Sequence, residues 1–297
     1  MKVSVALSIH NRSNLFGRAL RGYLNQTMNR KDWEVILVDD MSTEDLRSVY
    51  SPFIGKINLM HVKMDHTRHP VFREMNPGWK PGQNKTWYHT PAISTNIAVS
   101  LSSGSVICLC HPEILHAPSN FQLAYEHLSS LNNFLFGKTY LGTLTHNQWL
   151  DMNDWHSGSW TRFLQEANKA SPLEAFPNNA LYWYTSFLPK VAVSAVGGVD
   201  FKYLHGVAGE DDDFKERIKK AGWPPLYFES IQGFHQDHSD EKEAHHRRDT
   251  EAWHKGLKTN RELLRNRMQV TGFPKISNEG YDWTGSECVV SSQTYNV

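Results

Sequence analysis

With 297 residues the chain is long enough for one large α/β domain or two small ones around a sizeable core. Lys+Arg and Asp+Glu stand at 31 each, and no basic run is interleaved with aromatics, which argues against nucleic-acid binding as the main role but leaves a nucleic acid open as a substrate. Three cysteines, Cys108, Cys110 and Cys288, are too few for a disulfide framework; with no charged-then-apolar leader and no apolar stretch near ~18 residues, a cytoplasmic chain without a membrane span is expected.

Val3 to Ile9 reads as a short strand that stops at His10-Asn11-Arg12-Ser13. Leu15, Phe16, Ala19, Leu20, Tyr23 and Leu24 then follow helical spacing, with Ser13 or Asn14 as N-cap. Trp33 to Val38 is a second buried strand, ended by Asp39-Asp40, and a helix is expected to start at Ser42-Thr43-Glu44-Asp45. Strand, helix, strand, helix implies a parallel sheet. Ligands of such sheets sit at the carboxyl ends of the strands, so His10–Arg12 and Asp39–Asp40 are expected to line one crevice.

Residues 65 to 91 are rich in Pro, Gly, His and Trp and read as a long functional or mobile loop. A helix containing Asn96 runs to about Leu101, and Ser105 to Cys110 is a third strand, with Cys108 and Cys110 as buried thiols, ended by His111-Pro112-Glu113. A helical pattern follows Pro118. From about 150 to 185, Trp155, Trp160, Tyr182, Trp183 and Tyr184 form either a hydrophobic cluster under loops or a platform for stacking on sugar rings. Val196 to Asp200 is a turn, and Glu210 to Lys220 is a helix opened by four acids and closed by Ala221-Gly222. A polar stretch from Gln236 to about Arg248 leads to a helix at about 250–268, and the last 25 residues show no period. That stretch is expected either to fold over a bound diphosphate or to be a solvated connector.

Taken singly, Asp39-Asp40, Glu113 and Glu210 to Asp213 read either as acids that cap helices or favour the macrodipole or as functional carboxylates, the structural reading being the commoner. Their order resembles the family 2 inverting glycosyltransferases of GT-A fold. Val3 to Arg12 and Val38-Asp39-Asp40-Met41-Ser42-Thr43 stand where that family has its first and second strand ends, departing at Ser8 and His10 where Pro and Tyr are usual. The family's metal-binding Asp-x-Asp is represented by His111-Pro112-Glu113, five residues before Pro118. Gly197-Gly198-Val199-Asp200, Glu210-Asp211-Asp212-Asp213 and Arg217 resemble an acceptor-side region shared with galactosyltransferases, and His235 stands where the family carries a further metal ligand.

The resemblance implies a Rossmann-like, mixed and mostly parallel sheet flanked by helices, in a single large domain with a C-terminal helical extension. It divides the chain into a domain at 1–240, with a nucleotide-binding half at 1–118 and an acceptor-binding half at 119–240, and a helix and tail at 241–297. It implies a UDP-sugar donor held by Ser8, His10, Asn11, Arg12, Asp39, Asp40, Asn96 and His111, with Asp40 the better aligned to accept from the base. Glu113 and His235 would hold a metal, Mn²⁺ in preference to Mg²⁺ for an imidazole-plus-carboxylate site. Asp211, with Glu210, would be the catalytic pair, and Trp183, Asp212 and Asp213 would meet the acceptor, a glycan or other hydroxyl-bearing molecule. The competing reading is a non-catalytic sugar-nucleotide or glycan-binding relative with a degenerate metal motif, against which the intact Glu210-Asp211 pair argues. Nucleotidyl transfer would call for a basic Gly-rich loop that Leu7 to Phe16 lacks.

Overall fold

A computed structural model describes residues 1–75, 78, 91–153, 155, 159–176, 185–205, 208–238 and 251–297. It opens with β1 (Val3–Ile9) and α1 (Ser13–Tyr23), whose Leu15, Phe16, Ala19, Leu20 and Tyr23 are all buried along one stripe. The start of α1 differs from expectation, because neither Ser13 nor Asn14 caps it. Asn11 and Arg12 take left-handed backbone at φ 58° and 64°. The missing acceptor comes from a distant loop, where Glu44 Oε2 accepts from the Ser13 N–H at 2.7 Å.

β2 (Trp33–Asp40) is followed by α2 (Leu46–Tyr50), which starts later than expected because Asp45 caps it, accepting from the Arg47 and Ser48 N–H groups. After β3 (Leu59–Met64), part of the expected 65–91 loop is ordered into a turn at His66–Arg68 and α3 (Pro70–Met75). Residues 76–77 and 79–90 of that segment lie outside the described residues. α4 (Pro91–Leu101), β4 (Val106–Cys110), β5 (Ile114–His116) and α5 (Asn120–Leu128) come next. The second half contains β6 (Phe134–Leu141), α6 (Leu144–Met152), α7 (Trp160–Ala170), β7 (Glu174–Ala175), β8 (Ser186–Pro189), α8 (Lys190–Ala195), α9 (Glu210–Lys220), β9 (Pro225–His235), α10 (Glu251–Gln269) and β10 (Val289–Tyr295).

All these strands share one mixed sheet in the order β10-β3-β2-β1-β4-β8-β6-β9-β5, with β7 paired to β6. β3, β2, β1 and β4 run parallel, β8 enters antiparallel, and β9 is parallel to β6. Ile9 stands opposite Asp39, and Leu7 opposite Cys110. That register brings His10–Arg12, Asp39–Asp40 and His111–Glu113 out along one carboxyl edge. One core layer packs α1, α2 and α5 on one face, and a second packs α4, α8 and α9 on the other.

The 241–297 segment does more than extend the domain. Asn260 on α10 donates to the Tyr203 carbonyl at 3.0 Å, Asn278 Nδ2 donates to the Gly197 and Val199 carbonyls at 2.8 Å each, and β10 pairs antiparallel with β3 as the edge strand. Trp155 is buried, and the half-buried Trp160 stacks on Phe163 at 4.8 Å against the core, as the hydrophobic-cluster alternative has it. Tyr182, Trp183 and Tyr184 lie outside the described residues. The first residues of the polar 236–248 stretch are anchored: Gln236 is buried and its Nε2 donates to the Leu15 carbonyl at 3.1 Å, while the Asp237 carbonyl accepts from Asn147. Residues 239–250, on which the lid reading turns, lie outside the described residues. Among the described residues no helix is long and apolar enough to cross a membrane.

Candidate active site

The first two strand ends are buckled together by Asn11. Its N–H donates to Ser42 Oγ at 2.8 Å and its Oδ1 accepts from the Thr43 N–H at 2.9 Å. The left-handed backbone at Asn11 and Arg12 is the price of that buckle, and Asn tolerates it better than most residues. His10 Nδ1 donates to the Asp40 carbonyl at 2.7 Å, and Ser8 Oγ sits 2.5 Å from Ser94 Oγ on α4. Much of the polar surface expected to meet a nucleotide is therefore also the stitching that shapes this edge.

Asp39 and Asp40 point to opposite faces, as neighbours in a strand must. Asp39 accepts from the Ser42 N–H at 2.9 Å and lies 3.4 Å from His61 Nε2. Burial opposes its charge, but the His61 ring beside it and the Ser42 hydrogen bonds prevail and lower its pKa. It borders a cavity of about 710 Å³ together with Arg47, Lys63 and Ser291. Asp40 is buried on the α4 side, where its Oδ1 lies 3.0 Å from His66 Nδ1. Burial disfavours a charged His66, yet the bond to Asp40 and that carboxylate's charge raise its pKa.

Glu113 is the centre of the edge. It is 2% exposed, and its two oxygens face different groups. Oε2 lies 3.0 Å from Arg12 Nη1, while Oε1 lies 3.6 Å from His111 Nδ1, 3.8 Å from His235 Nε2 and 4.0 Å from His238 Nε2. Burial works against the carboxylate, but the Arg12 charge and the nearby His111 hold its pKa well below the usual range. His235 is pushed the other way, lowered chiefly by burial and by the positive charges around it, which favours the neutral imidazole a metal needs. One oxygen of Glu113 and one nitrogen each of His235 and His238 lie within 4.8 Å of one another, a set able to hold a divalent cation. His238 was not among the expected ligands. Its signal was its place three residues after His235, where β9 has just ended.

The acids of α9 divide into two kinds. Glu210 is 8% exposed, its Oε2 has no hydrogen-bond partner among the described residues, and burial followed by the Asp211 charge raises its pKa to about 8. Asp211 is also raised, by burial and then by Asp212, while accepting from the Asp212 N–H at 2.9 Å. Asp212 pairs with Lys215 at 2.7 Å. Asp213 corrects an expectation: it is completely buried and held by Arg217 Nε at 2.7 Å, Arg267 Nη1 at 2.8 Å and the Tyr203 hydroxyl at 3.2 Å, so it cannot meet an acceptor. Arg217 also donates to the Val196 and Gly198 carbonyls, each at 2.8 Å, and Arg267 pairs with Asp200. This part of the acceptor-side motif thus acts as an internal clamp.

Asn96 is corrected for the same reason. It is fully buried, donates to the Val199 carbonyl at 2.9 Å and accepts from the Val199 N–H at 2.8 Å, so its amide is spent within the protein instead of on a nucleotide. Gly198 is required beside it. Its φ is 70°, and an added Cβ would lie 2.6 Å from Asn96 Oδ1.

Comparison with known proteins bears on the fold. Residues 4–78 match the family described as Glycosyl transferase family 2. A protein of Rickettsia bellii (strain RML369-C) described as an uncharacterized glycosyltransferase is 28% identical over 138 residues, 46% of this chain but only 16% of that relative. Among solved structures, S. aureus TarS 1-349 in complex with UDP shares the fold with a TM-score of 0.55 and 13% identity, covering 92% of this chain and 73% of its own. The mannosyltransferase PcManGT from Pyrobaculum calidifontis, in complex with GDP-Man and Mn²⁺, gives a TM-score of 0.52 and 14% identity over 89% of this chain and 64% of its own. Residues 4–78 are thus similar to glycosyltransferase family 2, and the chain has the GT-A fold.

Proposed function

We propose that this chain is a family 2 glycosyltransferase that moves a sugar from a UDP-sugar to an acceptor hydroxyl with inversion. The observation that carries the reading is the Glu113, His235 and His238 cluster on the carboxyl edge where β1, β2 and β4 end. The complexes of TarS with UDP and of PcManGT with GDP-Man and Mn²⁺ support a sugar-nucleotide donor and a divalent ion. Asp40 would accept from the base, and Arg12 and His111 would face the diphosphate.

A carboxylate oxygen with two imidazole nitrogens suits Mn²⁺ better than Mg²⁺, which favours oxygen ligands throughout. When bound, the ion offsets charge on the leaving diphosphate as a Lewis acid. The protein supplies the proton chemistry. With Glu210 protonated at pH 7, Asp211 carries the charge of that pair, and its raised pKa makes it a stronger base. The acceptor O–H proton passes to Asp211 as the acceptor oxygen bonds to the anomeric carbon. The bond from that carbon to the diphosphate breaks, UDP leaves, and the anomeric configuration inverts in one displacement.

The test is Asp211→Asn, assayed for UDP release with a panel of UDP-sugars and Mn²⁺, alongside calorimetric UDP binding. Turnover is expected to fall roughly 10²–10⁴-fold with UDP affinity nearly unchanged. Wild-type turnover in the variant would remove Asp211 from the base role. A wild-type chain that binds UDP-sugars and releases no UDP would be a binding protein instead.

A further inference from the structure

We infer that Arg12 makes cation binding at Glu113 conditional on the nucleotide, by holding the metal carboxylate until a diphosphate draws the guanidinium away. This rests on the metal assignment above and concerns how that site is controlled.

Glu113 has one oxygen on Arg12 and the other toward the three imidazoles. A cation held by Oε1, His235 and His238 would share its carboxylate with a guanidinium already in place. Two positive charges on one buried carboxylate repel each other, and burial leaves water and salt little room to screen them. The backbone around Arg12 is tied down on both sides. Arg12 sits in the left-handed region at φ 64°, between the Asn11 buckle and the Glu44 contact to Ser13, and its Nη1 lies 3.0 Å from Glu113 Oε2.

Arg12 nevertheless keeps 26% of its side chain exposed, against 3% for Glu113. Its planar fork can therefore meet phosphate oxygens from the open side, and guanidinium pairs with phosphate bidentately. A nucleoside diphosphate arriving there relieves the repulsion and lets Glu113 turn its full charge to the cation. By linkage, the factor by which UDP tightens Mn²⁺ equals the factor by which Mn²⁺ tightens UDP.

The experiment measures free Mn²⁺ by its EPR signal during titration of the wild-type, R12Q and E113Q chains, with and without UDP. Thermal melts by circular dichroism check folding, and R12M substitutes for R12Q if R12Q melts early. Wild type is expected to bind Mn²⁺ at least tenfold tighter with UDP present. R12Q is expected to bind Mn²⁺ alone at least tenfold tighter than wild type, and to lose most of the UDP enhancement. A merely structural role for Arg12 would weaken Mn²⁺ binding in R12Q, the opposite sign. The inference is overturned if R12Q binds Mn²⁺ alone no tighter than wild type while E113Q has lost binding, or if wild type shows no coupling between UDP and Mn²⁺. Binding that survives unchanged in E113Q puts the ion elsewhere, and overturns the metal assignment along with it.

Discussion

Glu210→Gln is expected to stabilise the protein, and only at high pH. Glu210 is buried at the start of α9, has one oxygen without a hydrogen-bond partner among the described residues, and faces the Asp211 charge. Its pKa rises from 4.5 to about 8. The sign follows from proton counting. Between those values the folded chain keeps a proton that the unfolded chain has lost, so unfolding releases it and stability falls as pH rises. Below pH 4.5 both states are protonated and the penalty vanishes; above pH 8 it is complete. At about 1.4 kcal/mol per pH unit, the ceiling is about 5 kcal/mol, with coupling to Asp211 reducing what one substitution recovers. Unfolding entropy near 2.1 cal/mol/K per residue turns that ceiling into about 8 °C of Tm for a chain of this length. Gln keeps the shape and cannot ionise. Calorimetric melts of both proteins at pH 9 and pH 4 should show the variant higher by several degrees at pH 9 and unchanged at pH 4. An equal gain at both values would mean that packing, not charge, is responsible, and no gain at pH 9 would refute the raised pKa.

Asp40→Ala removes the expected base acceptor and should weaken UDP by about 1–3 kcal/mol in calorimetry, with GDP affected less; equal losses would show that Asp40 does not read the base. Arg217→Met breaks a buried pair and leaves Asp213 with Arg267 as its remaining arginine partner, so urea unfolding should show a loss of about 3–5 kcal/mol; a loss under about 1 kcal/mol would mean that the clamp is dispensable. Gly198→Ala meets both a positive φ and Asn96 Oδ1 at 2.6 Å, whereas Gly222→Ala, at φ 104°, meets nothing within 4 Å. The first should cost more than the second by about 1 kcal/mol or more, and equal costs would show that Asn96 gives way.

The sequence by itself determined the scaffold of this protein. Apolar runs at Val3–Ile9 and Trp33–Val38, with helical spacing between them, are patterns among near neighbours, and a parallel half-sheet with its polar ends on one edge follows from them. The buried thiols Cys108 and Cys110 and the acid-led α9 were legible for the same reason. What only the tertiary structure decided is which polar groups are free for chemistry. Asn96 and Asp213 carry motif positions that look functional, yet their partners, Val199 and Arg267, stand 103 and 54 residues away. The capping of α1 by Glu44, the third imidazole at His238 and the placing of β10 against β3 are likewise contacts between distant segments. Periodicity is a local property of a chain. A buried polar group must find a partner wherever the fold brings one, and that choice leaves no local trace.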